Sequence, residues 1–310
     1  MITMYRTDDE KVHSPETLEP GTWVHLVSPN ANEQQWVIDN LEVDPDFLRA
    51  ALDEEERARI DSENGQTLIL VDSPLMVSDS DGEEYSTLPL GIIMTPDHIV
   101  TICLKDSPIM NDFSSGRVKA FSTKKKSRFI LQILYRNAMH FLFHLRQLDK
   151  KSSSLETELH KSMKNKELIS MLKLEKSLVY FSTSLKGNEV VLERLLRMEF
   201  VRRYPDDTDL LEDVIIENKQ AIEMCAIYRD ILSGTMDAFA SVISNNLNIV
   251  MKLLTSITIV LTIPAMVAAL WGMNVNVPFQ DSAWGFFVVL GIIAVATGLG
   301  VLWMSRRKMF

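Results

Sequence analysis

Two apolar segments follow one another near the C-terminus: Ile249 to Trp271, 23 residues, and Trp284 to Trp303, 20 residues. At 1.5 Å of rise per residue, each covers a hydrocarbon core of about 30 Å. Both end on tryptophan, which favours the membrane–water boundary. Backbone polar groups in lipid must be satisfied within the segment itself, so both read as transmembrane helices. This division governs the rest of the chain. Residues 1–247 are charged like a soluble protein, whereas 248–304 are almost free of charge. Arg306, Arg307 and Lys308 follow the second span and Lys252 opens the first. The connector Gly272–Ala283 has no Lys or Arg and one acid, Asp281. The positive-inside rule then puts both termini in the cytoplasm of a plasma or inner membrane and the connector outside. No apolar segment follows Met1, so no cleaved signal peptide is expected.

The first span carries a seven-residue pattern. Stepping back from Ala269 gives Thr262, Thr255 and Asn248; a companion register gives Gly272, Ala265, Thr258 and Met251. A heptad repeat keeps one helix face toward a shared seam or axis. A dry seam would be rich in leucine. This one is small and hydroxylated, which is what the wall of a water-filled path requires. Extended backward, the phase runs through Ser244, Ser241 and Asp237 to Gly234 and Asp230. Because helical periods drift, it is read as an aqueous funnel only between Asp237 and Asn248. Neither Gly nor Pro interrupts Asp206 to Gly234, and the next proline is Pro264. One helix from Asp206 to near Trp271 would be roughly 100 Å long and would need neighbours along its length. Identical subunits around one axis are the simplest source of them.

The first 126 residues read as a cytoplasmic α/β domain. Thr22–Val27 and Gln66–Val71 are β-branched, apolar runs bounded by turn residues. Leu90–Met94 and Ile99–Leu104 flank Thr95-Pro96-Asp97-His98, a hairpin connection. Asn32–Leu41 and Asp46–Leu52 have helical spacing, and Asp79 to Glu84 reads as a polar loop. Residues 127–205 form a helical region in which Gly187-Asn188 is expected to break one helix from the next. The remaining divisions are a stalk at 206–247, a pore-lining span at 248–271 and an outer loop at 272–283. A second span at 284–304 and a basic tail at 305–310 complete the chain. Gly291, Ala294 and Gly298 offer the second span a small-residue face for close packing.

Several function classes are excluded. The formal net charge is −10, the wrong sign for a nucleic-acid partner. Nucleotide-binding and hydrolase signatures (G-x-x-x-x-G-K-[ST], G-x-G-x-x-G, H-E-x-x-H, G-x-S-x-G) are missing, so neither an enzyme nor a nucleotide site is expected. Cys103 and Cys225 fit no metal-ligand spacing and read as buried thiols. His140 and His144 stand four apart on a predicted helix, without a third ligand at a convincing offset. Lys124-Lys125-Lys126 reads as a solvated loop, and Lys252 as snorkelling to the inner interface.

With Gly272-Met273-Asn274 at the outer end of the first of two C-terminal spans, and Asn248 to Thr255 at its inner end, the chain resembles the CorA family of divalent-cation channels. Over residues 206–310 the likeness lies in motifs; over the first 200 it is one of layout. The resemblance implies a homopentamer whose first span lines the pore, and in which the Gly272, Met273 and Asn274 loops form the outer selectivity ring. Mg²⁺ holds its waters tightly, and a ring of Asn carbonyls accepts hydrogen bonds from those waters without stripping them. By position, Asn248 matches the family's inner polar ring, and Met251 with Leu254 its hydrophobic constriction, although Leu254 lies one place off the heptad stripe. The resemblance further implies closure by cytoplasmic Mg²⁺ bound between subunits. Asp213 is then the candidate carboxylate, with Asp72, Asp79 or Asp81 as its cross-subunit partner. Two departures stand out: Trp271 where Tyr is usual, and an outer loop poor in acids. The expected cargo is Mg²⁺. The same architecture transporting Zn²⁺, Co²⁺ or Ni²⁺, with or without protons, is the alternative. A membrane-anchored oligomeric sensor or scaffold is a third reading, but it gives no reason for the Thr/Ala/Asn stripe.

Overall fold

The computed structural model describes residues 1–8, 11–79, 82–162, 165–279 and 283–306. In chain order the elements are β1 (Ile2–Asp8), β2 (Lys11–His13), β3 (Trp23–Val27), α1 (Ala31–Leu41) and α2 (Pro45–Ala51). These are followed by β4 (Arg59–Glu63), β5 (Gln66–Asp79), β6 (Gly82–Met94), β7 (Ile99–Cys103) and α3 (Pro108–Ser114). The rest is helical: α4 (Lys126–Ser162), α5 (Asn165–Leu195), α6 (Glu199–Arg202), α7 (Pro205–Trp271) and α8 (Gly285–Arg306). The chain divides into two compact units, Met1–Thr235 and Met236–Phe310.

The first unit is a seven-stranded sheet in the order β2-β1-β3-β7-β6-β5-β4, sheathed by helices on both faces. Its pairing is antiparallel except between β3 and β7. Alternation along the strands sorts the core into two layers. Val24, Leu26, Leu68, Leu70, Val100 and Ile102 face α1 and α2, meeting Val37, Leu41, Phe47 and Leu48. Trp23, Ile69, Val71, Ile92 and Ile99 face the other way, onto Phe113 of α3, Phe129 and Ile133 of α4, and Leu192 of α5. Leu211 and Val214, early in α7, join that second layer. Local sequence sets the entry points. Asn30 and Glu33 form a reciprocal capping box on α1, and Asp44 caps α2 ahead of Pro45.

β5 and β6 extend well past the strands that flank them, pairing from Thr67↔Met94 to Asp79↔Gly82. Asp79 and Gly82–Glu84 are therefore strand, not a polar loop. The extension contains Pro74 and Pro89, which hid it from sequence reading, because a proline argues against a central strand. Where β4 no longer pairs with it, the edge of β5 would present unpaired backbone groups, and α4 and α5 cover it. The Asp72 N–H donates to Asn188 Oδ1 at 2.8 Å, and Asn188 Nδ2 donates to the Asp72 carbonyl at 2.9 Å. Asn137 Nδ2 donates to the same carbonyl at 2.7 Å. Gly187-Asn188 is thus no helix break: both residues lie inside α5. A Cβ on Gly187 would sit 3.3 Å from the Ala58 Cβ, so this glycine marks a close approach. The edge strands β2 and β4, and β1 beside β2, went unread because each is short or interleaved with charge.

α7 continues unbroken through Gly234 and Pro264 to Trp271, and α7 and α8 are each long and apolar enough to cross a membrane. In the second unit these helices pack along one face of each. Within the apolar part of α7 the covered positions are Ser256, Val260, Ile263, Pro264, Val267 and Trp271. On α8 they are Gly285, Val289, Ile293, Ala296, Thr297, Gly300 and Met304. Gly300 makes the closest approach, as a Cβ there would lie 2.7 Å from Ile263 Cδ1. Gly291 and Gly298 meet nothing within 4 Å, so the expected small-residue face is not the one that packs against α7.

Candidate functional site

The stripe from Asn248 to Gly272 is exposed along its whole length: Asn248, Met251, Thr255, Thr258, Thr262, Ala265, Ala269 and Gly272. Leu254, one place off the register, is exposed too. At 3.6 residues per turn, the mean direction of this stripe lies roughly 160° from the face that α8 covers. The second helix thus occupies the side of α7 away from the hydroxyl groups. Ser256, the one hydroxyl residue of this span outside the stripe, is fully buried.

The threonines are oriented by the helix itself. Thr258 Oγ1 donates to the Leu254 carbonyl at 2.9 Å, and Thr262 Oγ1 donates to the Thr258 carbonyl at 2.7 Å. Four residues back is the usual outlet for a hydroxyl proton within a helix. With the proton spent on the backbone, each oxygen presents lone pairs outward. Below the span, Ser241 repeats the bond, donating to the Asp237 carbonyl at 3.0 Å. Asp237, Ser241 and Ser244 are all exposed.

At the outer end α7 stops at Trp271, and the Gly272 N–H closes the last turn onto the Ala268 carbonyl at 2.9 Å. Met273 and Asn274 follow, both exposed. The connector is tied back: Trp271 Nε1 donates to the Pro278 carbonyl at 3.1 Å. Sequence reading had given Trp271 only a boundary role; an indole N–H facing a nearby proline-containing loop was the available signal. The next residue, Phe279, takes a left-handed φ of 65°. Its carbonyl oxygen would clash with a Cβ on Gly285, so α8 must begin with a glycine or the loop must shift.

Asp213 is exposed on α7, between the buried Leu211 and Val214. Asp72 is half-buried; burial raises its carboxyl above the usual range, offset in part by a hydrogen bond with Ser184. Asp81 and the Asp79 side chain lie outside the described residues, as do Asp281, Arg307 and Lys308. Among the described residues no group of three His, Cys, Asp or Glu is placed to hold a metal ion. His140 and His144 have ring centroids 6.4 Å apart, but His144 packs edge-on against Tyr85 and Phe181. Burial, with the charge of His140 second, pushes His144 down to about 4. The pair is aromatic packing. Both cysteines are buried free thiols, Cys103 raised by burial to about 12 and Cys225 to about 11, which leaves neither reactive.

Comparison with known proteins agrees with this architecture. The family model described as "CorA-like Mg2+ transporter protein" matches residues 20–307. The cobalt/magnesium transport protein CorA of Methanocaldococcus jannaschii is 26% identical over 286 residues, covering 88% of this chain and 86% of that protein. The protein of the same name from Thermotoga maritima is 22% identical, covering 97% and 87%. The solved structure of the complete CorA magnesium transporter from M. jannaschii superposes with a TM-score of 0.86 at 23% identity, covering 99% of this chain and 98% of that one, and shows a shared fold. With its α/β unit, its long α7 and its two apolar C-terminal helices, this chain belongs to the CorA-like Mg2+ transporter family and is a divalent-cation transporter of that kind.

Proposed function

We propose that the chain assembles as a homopentamer around the hydroxylated face of α7 and passes Mg²⁺ down its electrochemical gradient. The observation that carries this reading is the placement of α8 on the far side of α7 from Thr255, Thr258 and Thr262. A stripe that its own chain leaves uncovered, and that holds outward lone pairs, suits the wall of a path for a hydrated cation. Entry is selected at a ring of Gly272, Met273 and Asn274. There the Asn274 carbonyls accept hydrogen bonds from the waters of an ion that gives them up reluctantly. Asn248 and the Met251–Leu254 level form the inner constriction, and Asp237 with Ser241 and Ser244 draws cations along the funnel. With no nucleotide motif in the chain, the membrane potential drives inward flow, about 2.3 kcal/mol per charge per 100 mV.

Cytoplasmic Mg²⁺ closes the pentamer by binding between subunits at Asp213 and a carboxylate of the α/β unit, Asp72, Asp79 or Asp81. Mg²⁺ and Co²⁺ are the cargoes that the names of the relatives support. The test is flux into liposomes for Mg²⁺, Co²⁺, Ni²⁺ and Zn²⁺ in parallel, with and without a proton gradient. Mg²⁺ uptake that needs no proton gradient, and that Asn274→Ala abolishes or makes unselective, is expected. Unchanged uptake and selectivity in Asn274→Ala would remove the selectivity ring.

A further inference from the structure

The start of α4 is electrostatically wrong for a helix. Lys124-Lys125-Lys126-Ser127-Arg128 crowds its positive end, and its first turn has no acid. Helix N-termini favour anions and disfavour cations. The arrangement is more unusual in a chain whose formal net charge is −10. These residues line a cavity of about 500 Å³ within the first unit, closed on another side by Phe200, Arg203 and Tyr204 just before α7.

Five cationic side chains reach the cavity against two carboxylates, Asp206 and Asp207. Asp207 is buried and paired with Arg128 at 3.8 Å, so it does not face a ligand as a free charge. Lys124 is engaged by Asp8 at 2.7 Å, and Lys126 Nζ donates to the Thr95 and Pro96 carbonyls. Lys125 and Arg203 are exposed and have no carboxylate partner among the described residues. The Ser127 hydroxyl is shielded from solvent and has no hydrogen-bond partner among the described residues. Lys125, Arg203 (its guanidinium 6.0 Å from the centroid of the Tyr204 ring) and the first turn of α4 line one cavity, with Asp206 as its exposed carboxylate, and this excess of positive charge suits a phosphate-bearing ligand. The Tyr204 ring and Phe200 supply an apolar wall beside it.

We propose that this cavity binds a small, soluble polyphosphate anion. The proposal is independent of the transport reading, because binding is read without flux. The experiment uses the purified full chain in detergent with chelator present, titrated calorimetrically with tripolyphosphate. Saturable binding that weakens as salt rises is expected, and Lys125→Glu/Arg203→Glu should weaken it by about tenfold or more. Without ligand, Lys125→Glu should melt at a higher temperature than the unaltered chain, since an acid suits a helix N-terminus; tripolyphosphate should raise the melting temperature of the unaltered chain only. No saturable heat, or equal affinity in the double variant, overturns the proposal. A further arm uses nanodiscs containing phosphatidylinositol bisphosphate. Tripolyphosphate binding that they leave unchanged supports a soluble ligand, whereas retention by the lipid without binding of free tripolyphosphate overturns it.

Discussion

Replacing Thr258 and Thr262 together by valine tests the proposed path most directly. Valine keeps the β-branched shape, so the helix and its packing change little. What disappears is the pair of outward-facing oxygens held by the bonds to Leu254 and Thr258. The two carbonyls keep their ordinary helical partners, so folding is not the casualty. A hydrogen bond from the water shell of a cation to each oxygen contributes about 1 kcal/mol net, and more when charge-assisted. Each level of a symmetric assembly repeats the loss around the axis. Losing about 1.4 to 3 kcal/mol from the ion's transit therefore slows flux roughly 10- to 100-fold. The assay is Mg²⁺ entry into proteoliposomes followed by a trapped fluorescent indicator, with protein content and melting temperature matched. A control, Ile263→Val, trims one methylene from the face toward α8, where Ile263 is half-buried, and should leave the rate within about twofold. Equal flux in the double variant and the unaltered chain would refute the assignment of this face to the path.

Three further outcomes are expected. Asn188→Ala removes both bonds to the Asp72 backbone and leaves a buried N–H without an acceptor, costing about 1–3 kcal/mol in denaturant unfolding. Asn137→Ala should cost less, because the Asp72 carbonyl keeps Asn188; the reverse order would undo this account of the sheet edge. Burial holds His25 down to about 4, offset in part by its bond with Thr101, against 6.5 when unfolded. Below pH 6.5 the unfolded chain gains a proton that the folded one refuses. Stability is therefore full above pH 6.5, falls by up to about 3 kcal/mol toward pH 4 and then levels off. Urea melts across that window should show the slope shallower in His25→Gln, and an identical slope would discount His25. Last, Asp213→Asn should weaken the protection from proteolysis that added Mg²⁺ confers, and undiminished protection would remove Asp213 from the regulatory site.

The membrane-spanning helices and the long α7 were legible because their signals are local: uninterrupted apolarity, and a run without helix breakers. The helix-covered sheet was legible only in its buried strands. Pro74 and Pro89 masked the β5–β6 extension, whose cover is supplied by Asn137 and Asn188 from helices distant in sequence. Gly187 illustrates the same limit. A glycine that ends a helix and one that admits a neighbouring Ala58 are indistinguishable until the neighbour is placed. In α8 the small residues Gly291, Ala294 and Gly298 formed a convincing face, yet Gly300 makes the contact, because the partner helix decides which glycine is used. The heptad stripe was readable as a pattern. That α8 would leave it uncovered was not, since period alone says which residues share a face and not which way that face turns.

The inward-spent protons of Thr258 and Thr262 have a consequence for charge sign. An oxygen whose only hydrogen is committed to its own backbone can accept but not donate. Chloride and phosphate need donors to replace their hydration, and the Thr258 and Thr262 levels of the proposed wall offer them none. These two levels can therefore disfavour anions without carrying a carboxylate. Discrimination of this kind does not titrate between acid and neutral conditions, and rising ionic strength does not erase it as it erases the pull of fixed surface charge.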